Sequence, residues 1–230
     1  MTHDQVMAQA EQLLGETPAG EVPSVQAYDP DITGSPVVTD VRDIDQCSLQ
    51  IGLPLFGRDD PDRFALRILN DVLGAGMSSR LFREVRERRG LAYSVHSGYG
   101  HLADAGSFTI SAGVDRAKLA EAITICLSEA ARLVDEDVPG EELRKAKDHA
   151  IGRFRLSLET ASALGQRHGE ALLTRGEIEP VEDYVAGLQA VTAADVKRVA
   201  GRIFQWKRLH CAVVGPGLNE DEVAKAMEAV

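Results

Sequence analysis

Apolar residues recur every three or four positions through most of this chain and every second position in a few short runs. That pattern predicts many helices and few strands. Residues 2–14 read as an amphipathic helix, with Thr2 as N-cap and Gln5 three residues on, a capping-box pattern. Residues 15–34, rich in Gly, Pro, Glu and Asp, read as an extended linker. Residues 37–41 and 47–55 are strand candidates, the second with Leu49, Ile51 and Leu53 on one face. A polar turn at 58–62 leads into a helix over 61–73, with Phe64, Leu66, Ile68, Leu69, Val72 and Leu73 mostly inward. Gly74 and Gly76 break that helix.

The stretch from 77 to 93, M-S-S-R-L-F-R-E-V-R-E-R-R-G-L-A-Y, then reads as a helix entering a strand. Leu81, Phe82 and Val85 form its apolar stripe, Ser78 or Ser79 can cap its start, and Gly90 sits where a residue past the helix end takes positive φ. Residues 91–95 read as a buried strand. Residues 92–98 and 106–114 look like a hairpin pair joined by the polar stretch 99–105. A helix over 116–134 places Leu119, Ile123, Cys126, Leu127 and Ala130 in register. Residues 140–174 read as one bent helix or two, with Leu143, Ala146, Ala150, Phe154, Leu158, Ala161, Leu164 and Leu172 inward. Helices over 180–190 and 192–204 follow, Thr192 capping the second. A buried strand at 209–214 comes next, and a last helix capped by Asn219 runs to 230. Strands do not alternate singly with helices, so the expected class is α+β, an antiparallel or mixed sheet packed against helices.

Charge sharpens the picture at one place. The 230-residue chain carries −11. The 77–93 stretch holds five arginines (80, 83, 86, 88 and 89) against Glu84 and Glu87, a local +3, so the remainder sums to −14. A cationic helix running into a strand with a tyrosine suggests an anion or a polarised carbonyl as target. Basic residues near a helix C-terminus also simply favour the macrodipole, and most charge runs are solvated faces. The acidic balance argues against nucleic-acid binding. No apolar run approaches the ~20 residues of a membrane span, and no signal peptide is visible. Cys47, Cys126 and Cys211 are far apart in apolar settings and read as buried thiols in a reducing, cytoplasmic compartment.

Tested for chemistry, the histidines give no H-E-x-x-H and no H-x-x-E-H. His96, His101 and Asp104 could cluster in the hairpin; His149 and His168 fall on or beside the packed face of the long helical stretch. The G-A-G-M-S-S run at 74–79 lacks the Gly-Lys-Ser/Thr of a P-loop and reads as a hinge. By these tests the chain holds no complete active site and no metal ligand set. One internal echo stands out: T-H-D-Q-V-M-A-Q-A at 2–10 lines up with N-E-D-E-V-A-K-A-M at 219–227. The echo would follow if the chain opens with the last helix of a preceding copy of the same domain.

G-A-G-M-S-S-R-L-F-R-E-V-R-E-R-R-G-L-A-Y-S-V (74–95) resembles the second half of insulinase/pitrilysin-family zinc peptidases, which include the bacterial and mitochondrial processing peptidases. The resemblance continues through A-G-S-F-T-I-S-A-G (105–113), E-E-L-R-K-A-K (141–147), V-T-A-A-D-V-K-R-V-A (191–200) and V-V-G-P (213–216), so it covers nearly the whole chain. It implies a processing-peptidase-like metallopeptidase domain over 35–230, with residues 1–34 as the last helix of a preceding homologous domain plus linker. It also implies an arginine and a tyrosine seven residues apart, here Arg86 for substrate binding and Tyr93 for catalysis, facing a zinc-bearing half across a peptide in a clamshell. A phenol beside the metal would stabilise the oxyanion, and a guanidinium would hold the peptide. Arg86 lies at the edge of the helix's apolar stripe and Arg89 nearer its centre, so spacing alone leaves both open. The zinc motif is absent here, so zinc belongs to the complementary half, in the same polypeptide or in a partner subunit of a dimer, and this chain alone is expected to cleave nothing. The alternative implied by the same resemblance is a non-catalytic scaffold for assembly.

Overall fold

In the computed structural model, which describes residues 1–18, 20–21, 26–29 and 36–228, five strands form one mixed sheet with helices against one face. The strands are β1 (Val37–Val41), β2 (Cys47–Phe56), β3 (Ala92–His101), β4 (Ala105–Val114) and β5 (His210–Gly215), in the spatial order β1-β5-β2-β4-β3. β1 and β5 run parallel, and every other neighbouring pair is antiparallel. The last strand in sequence therefore inserts between the first two. β3 is a sheet edge.

The helices are α1 (His3–Leu14), α2 (Arg63–Leu73), α3 (Leu119–Asp135), α4 (Gly140–Leu156), α5 (Ala161–Arg175), α6 (Val181–Ala190), α7 (Ala193–Ile203) and α8 (Glu220–Met227), with a π-helix at Phe82–Arg88. The α+β class and the mixed sheet are as the sequence predicts. Leu49, Ile51 and Leu53 of β2 are buried under α2, α3 and α7, with Leu66, Leu69, Ile123, Leu127 and Val199. Each such side chain contributes about 1.5–3 kcal/mol of burial. The opposite face stays open, lined by small and polar side chains: Ser48, Gln50 and Ser107 are exposed, Thr109 and Ser111 half-buried. At the far end, Arg198 and Arg202 of α7 grip Asp62 at the start of α2. The Arg198 hydrogen bond leads in holding the Asp62 carboxyl below its usual range.

Several local expectations change. Residues 140–174 form two helices: Ser157 ends the first, and the Thr160 side chain caps the second by accepting from Ala163 N–H at 3.1 Å. Of the expected inward set only Ala146 and Ala150 are buried; Ala161 and Leu172 are exposed, and α5 buries no residue. Residues 116–118 are a short 3₁₀ turn before α3. The hairpin strands extend through the expected joining stretch, with His101 paired to Gly106. The capping box at Thr2 and Gln5 and the caps at Thr192 and Asn219 are present. Much of the expected linker, the 34/35 boundary and the end of the last helix lie outside the described residues.

Candidate functional site

The cationic stretch is where the structure departs furthest from a plain amphipathic helix. Residues 82–88 form a π-helix, a rare widening of the turn that is frequent at functional sites. Ser79 prepares its start: its hydroxyl donates to Gly76 O at 2.5 Å and accepts from Phe82 N–H at 3.4 Å. At the other end Leu91 N–H reaches back to Val85 O at 2.8 Å, and Gly90 takes φ +59° as expected.

The five arginines separate by partner. Arg80 is buried, and its guanidinium forks onto the Glu142 carboxylate of α4 with two 2.9 Å bonds. Arg88 and Arg89 both close on Glu84, Arg89 also on the Glu84 carbonyl, and together they hold that carboxyl below its usual range, Arg89 foremost. Arg83 is exposed on a cleft of about 600 Å³ between α2, α3 and α4, where acids and bases mix. Arg86 alone stacks: its guanidinium carbon lies 5.0 Å from the Phe82 ring centroid and 5.6 Å from that of Tyr93. No carboxylate pairs with Arg86 among the described residues. A stacked guanidinium keeps its N–H edge free for a ligand, which an ion-paired one does not. The sequence left Arg86 and Arg89 both open; the structure ties Arg89 to Glu84.

Tyr93 corrects the expectation of a wholly buried strand at 91–95. It is 75% exposed. The β3–β4 register jumps at this point, Ala92 facing Val114 and Ser94 facing Gly113, so Tyr93 is the extra residue of a bulge. Simple alternation back from buried Val95 would turn Tyr93 into the core. The bulge instead releases it, with Ser94, to the open side of the sheet. Its hydroxyl has no partner among the described residues.

The other candidates scatter. His96 is exposed on β3, His101 Nδ1 lies 3.0 Å from Phe56 O, and Asp104 accepts from Tyr28 N–H, so the three form no cluster. His149 is exposed, with Nδ1 2.6 Å from the buried Asp71 carboxylate, a tie between α4 and α2 that Arg67 extends. Among the described residues no group of three His, Cys, Asp or Glu side chains is set to hold a metal ion. The three thiols are buried and unpaired; burial pushes Cys126 and Cys211 up to about 12. No helix is long and apolar enough to cross a membrane among the described residues. Sequence reasoning missed Asn70, Ser97 and Arg153, which shape a groove along the outer edge of β3. Only Asn70 lies near Gly74 in the sequence; Ser97 and Arg153 come from distant segments and carried no sequence signal.

A family model described as the peptidase M16 inactive domain matches residues 1–149. An uncharacterized zinc protease of Streptomyces coelicolor is 36% identical over 189 residues, 82% of this chain and 41% of that protein. The crystal structure of a peptidase M16 inactive domain from Pseudomonas fluorescens superposes with a TM-score of 0.83 at 23% identity, over 96% of this chain and 53% of that one. A chain of complex III2 from Candida albicans superposes with a TM-score of 0.77 at 16% identity, over 99% and 56%. The chain thus spans about half the length of the proteins it matches. At these identities the two structures speak for the fold alone.

Proposed function

Since the chain belongs to the peptidase M16 family, whose inactive domain it matches, we propose that it is the substrate-binding and oxyanion-stabilising half of a zinc-dependent endopeptidase. The observation that carries this reading is Tyr93, pushed out of the core by a bulge and stacked on an arginine with no carboxylate partner among the described residues. In this role the Tyr93 hydroxyl donates to the scissile carbonyl oxygen as negative charge builds on it. Arg86, planar and free at its N–H edge, holds a backbone carbonyl or carboxylate of the peptide. The polar open face of the sheet forms one wall of the chamber. Among the described residues no side-chain group is set to hold a metal, so on this reading attack on the carbonyl falls to a zinc-bearing half across the chamber, in the same polypeptide or as the other member of a dimer.

The place of α1 supports that arrangement. None of its residues is buried, and Val6, Met7, Leu13 and Leu14 stand exposed although their spacing makes an apolar stripe. Its counterpart in the sequence echo, α8, buries Val223 and Ala226. On this reading α1 packs on the zinc-bearing half as α8 packs here.

With the zinc half supplied, Tyr93→Phe is expected to lower kcat on the order of 10²–10³ with little change in KM. An unchanged kcat reduces Tyr93 to a strand residue and leaves the scaffold alternative in possession of the fold.

A further inference from the structure

The groove beside this pair, about 600 Å³, runs along the outer edge of β3 between that strand and the Gly74–Met77 loop. Phe82, on which Arg86 stacks, forms part of its wall, so the groove adjoins the pair. Two arginines line it and, among the described residues, no acidic residue does. Arg67 is tied to Asp71 at 2.8 Å, but Arg153 has no carboxylate partner among the described residues of this −11 chain. At the floor, Asn70 is only 8% exposed. Its Oδ1 accepts from Ser97 Oγ at 2.7 Å, which leaves its amide N–H₂ without a partner among the described residues. The floor is also rigid: Ser97 N–H donates to Gly74 O at 3.2 Å, and a Cβ on Gly74 would lie 2.4 Å from that nitrogen.

An amide donor without a partner and a guanidinium without a carboxylate, in a groove that no acidic side chain lines among the described residues, describe a receptor for an acceptor-only group. The geometry points to this groove as a subsite for a carboxylate of the bound peptide, an Asp or Glu side chain or a chain end, held by Asn70 Nδ2 and Arg153. The assignment rests on the peptide-binding reading above, but its test needs no turnover.

Labelled peptides are titrated into the full chain and followed by fluorescence anisotropy. One peptide is capped at both ends with a single internal glutamate, a second carries glutamine there, and a third carries glutamine and a free C-terminal carboxylate. The first or the third should bind on the order of tenfold tighter than the second, and which of them does so identifies the carboxylate's source. Arg153→Gln, a surface change, should remove that advantage and leave the glutamine peptide unaffected. Asn70→Asp keeps the acceptor for Ser97 and should act in the same direction, with circular dichroism as the check on folding. Equal affinity for all three peptides, or an advantage that survives Arg153→Gln, overturns the subsite. Either result leaves the kcat test of Tyr93 independent.

Discussion

At the scale of single residues, what separates Arg86 from its four neighbours is its partner rather than its place in the sequence. Arg80, Arg88 and Arg89 each spend their fork on a glutamate, whereas Arg86 is held flat by two rings. A lysine keeps the charge but has neither the plane to stack nor the two-pronged donor edge. With the zinc half supplied, Arg86→Lys is expected to lower kcat/KM roughly tenfold to a hundredfold, while Arg83→Lys, exposed on the mixed cleft, stays near wild type. Equal activity of the two variants removes Arg86 from the site. The sequence could supply the pair by resemblance and spacing. It could not supply the partner choice, because Glu142 lies 62 positions from Arg80, and nothing local says which arginine that carboxylate will take.

At the scale of elements, the features that display the pair are irregularities. A regular helix and a regular strand were expected; a π-helix and a bulge are what the chain forms, and each shifts side chains by a fraction of a turn or one full face. Neither has a compositional marker as plain as the Thr2–Gln5 capping box or the glycine at 90, which is why caps and ends were legible and the bulge was not. One glycine anchors the arrangement. Gly74→Ala forces a methyl against the backbone of β3 at Ser97, so the loop must leave the strand, and urea unfolding should show a loss of about 1–3 kcal/mol. Gly76→Ala meets only the edge of the His149 ring at 3.4 Å, which can yield, and should cost clearly less. Equal losses would mean that the Gly74 contact does not fix the groove.

At the scale of the molecule, the sequence pattern revealed the class, the strands and the buried set of β2, since these depend on periodicity alone. It over-assigned the interior of α5, whose leucines at 172 and 173 remain in the open. The strand order was beyond it, and that order has a consequence in time. Because β5 lies between β1 and β2, the two earliest strands have no common neighbour until residues 210–215 have left the ribosome. Val37 waits for Cys211, a loop of more than 170 positions, and β2 presents an unpaired flank throughout synthesis. Such distant pairing slows folding and exposes strand edges to misassociation. A chain ended at Phe204 should therefore lack a cooperative unfolding transition and show a collapsed amide proton spectrum; a well-dispersed one would mean that β2–β4–β3 and its helices close without the final strand. The acid-rich surface, −14 outside one short stretch, then acquires a second use: mutual repulsion keeps half-made sheets apart while they wait for their last strand.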